Sequence, residues 1–137
     1  YIIYILENVC MWWASGLASG QSFIKSIAIN VIRTYCDATT FANPMLILKV
    51  RGGDFTVDDE RVKKYAFCVY KTIGMATPEG NGDKEAGLKL IYPPTDPAKF
   101  EKSFDACNNQ EGPTPETKLW KLLVCYNDKY PGDISAL

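Results

Sequence analysis

Apolar residues recur along most of this chain at three- and four-residue intervals, the period of a helix that buries one face. Over residues 58–74 the stripe is Val62, Tyr65, Ala66, Val69 and Ile73, with Arg61, Lys63, Lys64 and Lys71 largely off it and Cys68 in the middle of the segment. Thr56 followed three residues later by Asp59 resembles a capping box, and Asp58, Asp59 and Glu60 stand where a helix dipole favours negative charge. Residues 21–39 keep the same period through Ile24, Ile27, Ala28, Val31, Ile32 and Tyr35, which brings Cys36 to the far end of a first helix. Asn43-Pro44 opens a short helix, because proline suits the first helical position, and Gly52-Gly53 closes it.

Residues 76–83 contain Pro78, Gly80 and an Asn81-Gly82 pair and predict a loop. A modest helix over residues 83–92 carries Leu88, Leu90, Ile91 and Tyr92, is weakened by Gly87 and is ended by Pro93-Pro94. Asp96-Pro97 starts a helix presenting Phe100, Phe104 and Cys107, and Thr114-Pro115 starts a last one with Leu119, Trp120, Leu122, Leu123, Cys125 and Tyr126. Residues 128–137 read as a tail that closes on Ile134, Ala136 and Leu137. The pattern holds no strand ladder and no repeat, so the expected fold is an all-α bundle of about six helices.

At 137 residues, 47% hydrophobic and 23% charged, the chain suits one compact domain. Residues 1–20 are apolar and end in Ala18-Ser19-Gly20, small side chains of the kind that precede a secretory cleavage. A signal segment truncated at its start and cut after Gly20 is expected, with residues 21–137 as the mature domain; a buried or membrane-lying first helix is the alternative. The segment is too short and too interrupted by Glu7 to span a bilayer. Its loss leaves fifteen acids against fifteen bases, and a neutral chain has no electrostatic reason to seek nucleic acid or an anionic membrane. Cys10 leaves with it, so five cysteines become four: Cys36, Cys68, Cys107 and Cys125. An even count in a short secreted chain reads as two disulfides, with three pairings open.

The chain contains no histidine, which removes Ser-His-Asp and Cys-His catalysis and histidine-ligated zinc. The cysteine gaps of 31, 38 and 17 residues do not give the close ligand pairs of a zinc site. No phosphate-binding loop, dinucleotide fingerprint, nucleophile elbow or EF-hand loop occurs, and Glu101 and Asp105 read as solvated helix faces. Neither an enzyme nor a metal or cofactor site is expected.

The cysteine spacing is the most specific signal. Insect odorant-binding proteins of the pheromone/general-odorant family carry six cysteines on about six helices, and Cys36, Cys68, Cys107 and Cys125 resemble the first, third, fourth and sixth. The second and fifth would fall four residues before Cys68 and nine before Cys125, where Lys64 and Glu116 stand, so the chain is similar to the four-cysteine "minus-C" subgroup. Lys-Tyr-x-x-Cys at residues 64–68 is similar to the family's Cys-Tyr-x-x-Cys, and the likeness runs over residues 21–131.

This resemblance implies disulfides Cys36 with Cys68 and Cys107 with Cys125, and helices held around an apolar cavity. Lys64 and Glu116 would then approach as a weaker replacement for the missing bridge, an exposed ion pair being worth about 0 to 1 kcal/mol. The function implied is an extracellular carrier of small hydrophobic molecules such as odorants or pheromones in sensillar lymph or haemolymph. An odorant receptor or a homodimer is the implied further partner. Two other readings stand beside it: a haemolymph or gland carrier of non-odorant lipophilic ligands, and a secreted interaction module with a solid core. The inward stripes and the family's pocket pattern give Ile29, Tyr70, Met75, Leu88, Ile91, Phe104, Leu123 and Tyr126 as lining, with ordinary core packing as the competing role of each. Tyr70 and Tyr126 can also offer a hydroxyl to an alcohol, aldehyde or ester oxygen. Trp120 is a further candidate, facing the pocket, the solvent or the tail. The apolar tail would fold back as a lid. Without histidine, any pH response would come from carboxylates, whose reference values are roughly 3.9 and 4.3.

Overall fold

The computed structural model describes residues 18–90 and 96–130. Six helices follow one another there: α1 Ala18–Thr40, α2 Pro44–Arg51, α3 Glu60–Thr72, α4 Lys84–Leu90, α5 Pro97–Cys107 and α6 Pro115–Lys129. Among the described residues the only extended pairing is one isolated bridge between Ala76 and Gly82. Most of the expected signal segment, Cys10, Ile91 and the tail residues Ile134, Ala136 and Leu137 lie outside the described residues.

Three helices begin as their sequences predict. The side chains of Asn43, Asp96 and Thr114 accept hydrogen bonds from the backbone N–H groups of Met45, Ala98 and Thr117, and Pro44, Pro97 and Pro115 follow each cap. A cap of this type stabilises its helix by about 1 kcal/mol. The central helix α3 departs from the expected capping box: Asp59 is its N-cap and accepts from Val62 N at 3.0 Å. Thr56 is turned instead to Asp54 Oδ1, and Asp58 to Lys63 Nζ at 3.0 Å. An aspartate one residue before the helix presents its carboxylate to the free N–H groups directly, so the threonine further out is not needed.

α3 stops at Gly74, whose φ of 85° places it in the left-handed region. Gly74 N donates to the Lys71 carbonyl and Met75 N to the Tyr70 carbonyl, the paired bonds of a Schellman ending. α6 runs further than expected, so Asp128 and Lys129 are helical rather than part of a tail. Tyr126 and Tyr130, one turn apart with ring centroids 5.6 Å from each other, carry the apolar period past the polar residues 127–129.

Packing proceeds in the order α1 on α3, α3 on α6, α6 on α5 and α5 on α4. α3 and α6 therefore form the middle of the bundle, with Val62, Val69 and Leu119 almost wholly buried. The two disulfides are Cys36 to Cys68 and Cys107 to Cys125, with Cα atoms 5.7 Å apart in both. They tie α1 to the centre of α3 and the end of α5 to α6, which is the pairing that the resemblance implies. Among the described residues no ion pair joins Lys64 to Glu116; the pairs are Lys63 with Asp58 and Glu60, and Lys84 with Glu101 and Asp105. Both families of pairs lie between residues close in sequence or on adjacent helices, where little chain entropy is lost on meeting.

Candidate ligand-binding site

The densest aromatic packing lies where α4, α5 and α6 meet. Phe100 and Phe104, one turn apart on α5, have centroids 5.6 Å from each other, and Phe100 meets Tyr126 of α6 edge-on at 5.7 Å. Tyr126 continues to Tyr130. Edge and offset contacts of this kind suit the ring quadrupole and add about 0.5–1.5 kcal/mol per pair beyond burial.

Two glycines let the chain close over these rings. A Cβ on Gly82 would come 2.5 Å from Phe104 Cζ, and a Cβ on Gly87 would come 2.5 Å from Phe100 Cζ. The loop that carries Gly82 is itself fixed at both ends. Asp83 N donates to the Met75 carbonyl at 2.9 Å, and Thr77 N to the Asn81 carbonyl at 2.7 Å. Asn108, which caps the end of α5, accepts from Gly82 N at 2.9 Å and donates through Nδ2 to the Gly82 carbonyl. Lys84 Nζ, 3.1 Å from Asp105 and 3.4 Å from Glu101, clamps the start of α4 to α5. Those two carboxylates thus hold a helix in place, and the Lys84 ammonium is held above its usual range chiefly by its bond to Asp105.

The residues named from sequence fall into three groups. Tyr70, Phe104, Leu123 and Tyr126 are buried in one core cluster, and Met75 and Leu88 pack against it. Ile29 is half-buried on α1 and stands outside that cluster. Ile91 lies outside the described residues. Trp120 is buried, not turned to solvent, and its ring lies 5.2 Å from Phe55, which pins the loop between α2 and α3 against α6. Asn127 assists by donating through Nδ2 to the Gly53 carbonyl at 3.2 Å.

Sequence reasoning names Phe100 only as part of a helix stripe and Gly82 and Gly87 only as breakers, and does not single out Asn108. The rings that the two glycines seat are 22 and 13 residues away, beyond any local pattern.

Among the described residues no cluster of histidine, cysteine or acidic side chains can hold a metal ion. Glu111, Gly112, Lys118 and Lys121 border an open depression on the surface. Lys121 Nζ there donates to the Glu111 carbonyl at 2.7 Å, so the lining is polar and suits no apolar guest.

The model of the PBP/GOBP family matches residues 26–129. The chain belongs to that family. Solved structures of similar fold include a fatty acid binding protein, OBP56a, from the oral disk of the blowfly Phormia regina, with 18% sequence identity and a TM-score of 0.65 over 77% of this chain and 90% of that one. Odorant binding protein 5 of Apis mellifera has 20% identity and a TM-score of 0.68 over 85% of this chain and 94% of its own. No curated sequence matches the chain. The PBP/GOBP family is one of binding proteins. The family match also spans both disulfides and every described candidate residue.

Proposed function

We propose that this chain is an extracellular carrier that takes a small hydrophobic molecule into an apolar interior bounded by α3, α4, α5 and α6. The observation that carries the reading is the family match over residues 26–129, joined to the single cluster in which Tyr70, Phe104, Leu123 and Tyr126 meet. Desolvation drives such binding, at roughly 25 cal/mol per Å² of apolar surface buried. No bond is made or broken. Tyr70, Met75, Leu88, Phe104, Leu123 and Tyr126 are the proposed lining, with Ile91 beside them and Ile29 at the margin.

Two disulfides among four cysteines, with lysine and glutamate at positions 64 and 116, support assignment to the four-cysteine subgroup. Disulfides persist in oxidising compartments, which supports secretion of the domain. Odorants and fatty acids are the ligand classes to try first, since one similar structure is named for each. A receptor for the loaded carrier, or a second copy of the chain, is the proposed partner.

Titration of the oxidised chain with an N-phenylnaphthylamine dye tests the proposal. The expected result is a saturable, blue-shifted signal that long-chain fatty acids or alkanols displace. Absence of a saturable signal overturns it and leaves a secreted interaction module with a solid core.

A further inference from the structure

Asn81-Gly82 is the one place in the chain where glycine follows asparagine. Besides forming a turn, such a pair is open to a covalent reaction with itself. Glycine carries no Cβ, so its backbone nitrogen meets the least obstruction in approaching the side chain before it. Gly82 N gives up its proton and bonds to Asn81 Cγ; the Cγ–Nδ2 bond breaks and Nδ2 leaves as ammonia. One water then opens the five-membered succinimide at either carbonyl, giving aspartate, or isoaspartate with the main chain routed through the former side chain. Water is the only co-reactant, and nothing is oxidised or reduced.

Asn81 is exposed, so neither the entry of water nor the departure of ammonia is obstructed. What the fold governs is the nucleophile. Gly82 N donates to Asn108 Oδ1 at 2.9 Å, and Asn108 Nδ2 donates to the Gly82 carbonyl at 3.4 Å. Asn108 is itself fixed at the end of α5, where its N–H donates to the Phe104 carbonyl at 2.8 Å. A nitrogen whose proton is held in this way is harder to ionise and must leave Asn108 before it can turn onto Cγ. The flanks oppose that turn as well. Asn81 N donates to Thr77 Oγ1 at 3.2 Å and Asp83 N to the Met75 carbonyl at 2.9 Å. On the inner side Gly82 lies so close to Phe104 that an added Cβ would come 2.5 Å from the ring.

We infer that Asn81-Gly82 is a modification site, a succinimide-forming pair that Asn108 holds in check from 26 residues further along the chain. Its conversion unlatches the loop. Isoaspartate inserts one methylene into the main chain and leaves a carboxylate where a neutral amide stood, so the bonds to Thr77, Met75 and Asn108 can no longer all be made in one register. The loop then lifts from Phe104, which loses the cover that Gly82 allows. Loss of ammonia to bulk water makes the change one-way, and it accumulates with the age of each molecule.

Ageing the oxidised full chain in mildly alkaline buffer, followed by peptide mapping with fragmentation that separates isoaspartate from aspartate, tests the inference. The folded chain should gain about one mass unit at residue 81 slowly, and the reduced chain in urea roughly tenfold faster or more, because the folded loop must first open. Asn108→Ala removes the bond to Gly82 N and should speed the folded reaction about threefold to tenfold. Asn108→Asp keeps an acceptor for that N–H and should restore the slow rate. Val62→Ala, in the core at the far end of α3 from the loop, lowers stability without touching Asn108 and should leave the rate unchanged. The purified isoaspartyl chain should lose hydrogen-exchange protection at Thr77, Gly82 and Asp83 while its helices stay protected. Equal rates in folded and unfolded chains, no acceleration by Asn108→Ala, or a fast Asn108→Asp chain would each overturn the inference. So would equal acceleration by Val62→Ala, which would make global unfolding the route, or an isoaspartyl chain in which Gly82 and Asp83 stay protected.

Discussion

Phe100 lies across Gly87 so closely that a Cβ on the glycine would reach to 2.5 Å from the ring's Cζ. The ring has no empty place to go, since Phe104 and Tyr126 flank it with centroids 5.6 and 5.7 Å away. A residue that weakens α4 as an isolated helix is thus what allows α4 to sit on α5. The expected cost of Gly87→Ala is overpacking of about 1–3 kcal/mol, offset by about 1 kcal/mol of better helix propensity. The net change is a loss of up to about 2 kcal/mol, read from urea unfolding.

Three other glycines make a graded comparison. At Gly74, φ is positive and nothing lies within 4 Å of an added Cβ, so alanine meets only backbone strain, about 1–2 kcal/mol. At Gly80, φ is also positive and the added atom would run into the backbone of Pro115. Strain and overlap add there, and Gly80→Ala should cost about 3 kcal/mol or more. At Gly82 the obstacle is the buried ring of Phe104, as at Gly87. An unfolding series in which Gly74→Ala proves the most damaging of the four would contradict this account.

Removing either disulfide should destabilise the fold without changing its helix order. The bridges span sequence separations of 32 and 18, for which the chain-entropy model gives about 3–4 kcal/mol each, the longer loop being the larger. Double Cys→Ala variants compared in urea, with helicity followed by circular dichroism, provide the measurement.

Stability should be insensitive to pH from about 5.5 to 9. With no histidine, the groups whose ionisation is shifted titrate outside that window. The bond from Thr56 lowers the Asp54 carboxyl, so its contribution is present above the ordinary value of 3.8 and is lost as pH falls below it. Lys63 is raised by its bond to Asp58, Lys84 by its bond to Asp105 and Tyr65 by burial. Their contributions are complete below the ordinary values of 10.5 and 10.0 and are lost as pH rises beyond them. Thermal midpoints measured from pH 2 to 11 would reveal a step near 6.5, and such a step is incompatible with this charge inventory.

Leu88 and Ile29 separate the proposed interior from its margin. Leu88 packs against the core cluster and Ile29 does not. Leu88→Ala should weaken dye binding about tenfold, the loss of one to two buried methylene equivalents at ~0.8 kcal/mol each. Ile29→Ala should change it less than threefold. Parallel dye titrations of the two variants decide the matter.

Helix starts were legible because they depend on neighbours in sequence: Asn43, Asp96 and Thr114 each precede a proline. The cross-links join residues 32 and 18 apart, so their pairing was legible only through the family resemblance, the cysteine count alone leaving three pairings open. The capping of α3 was misplaced by three residues because Thr56 and Asp59 both have side chains able to cap, and only the path of the loop decides between them. The end of α6 was placed too early because Tyr130 shows its role only when its ring meets Tyr126.

By itself, then, the sequence determined that this chain is all-α, where its three proline-started helices begin and that no histidine-based chemistry is open to it; these follow from periodicity, local hydrogen bonding and composition. Only the tertiary structure decided that Gly82 and Gly87 seat two phenylalanine rings, that Trp120 faces inward, that Lys84 rather than Lys64 bridges two helices and that Phe41 stands in solvent. Each of these depends on how helices far apart in sequence cross, and crossing is fixed by packing all the apolar faces at once.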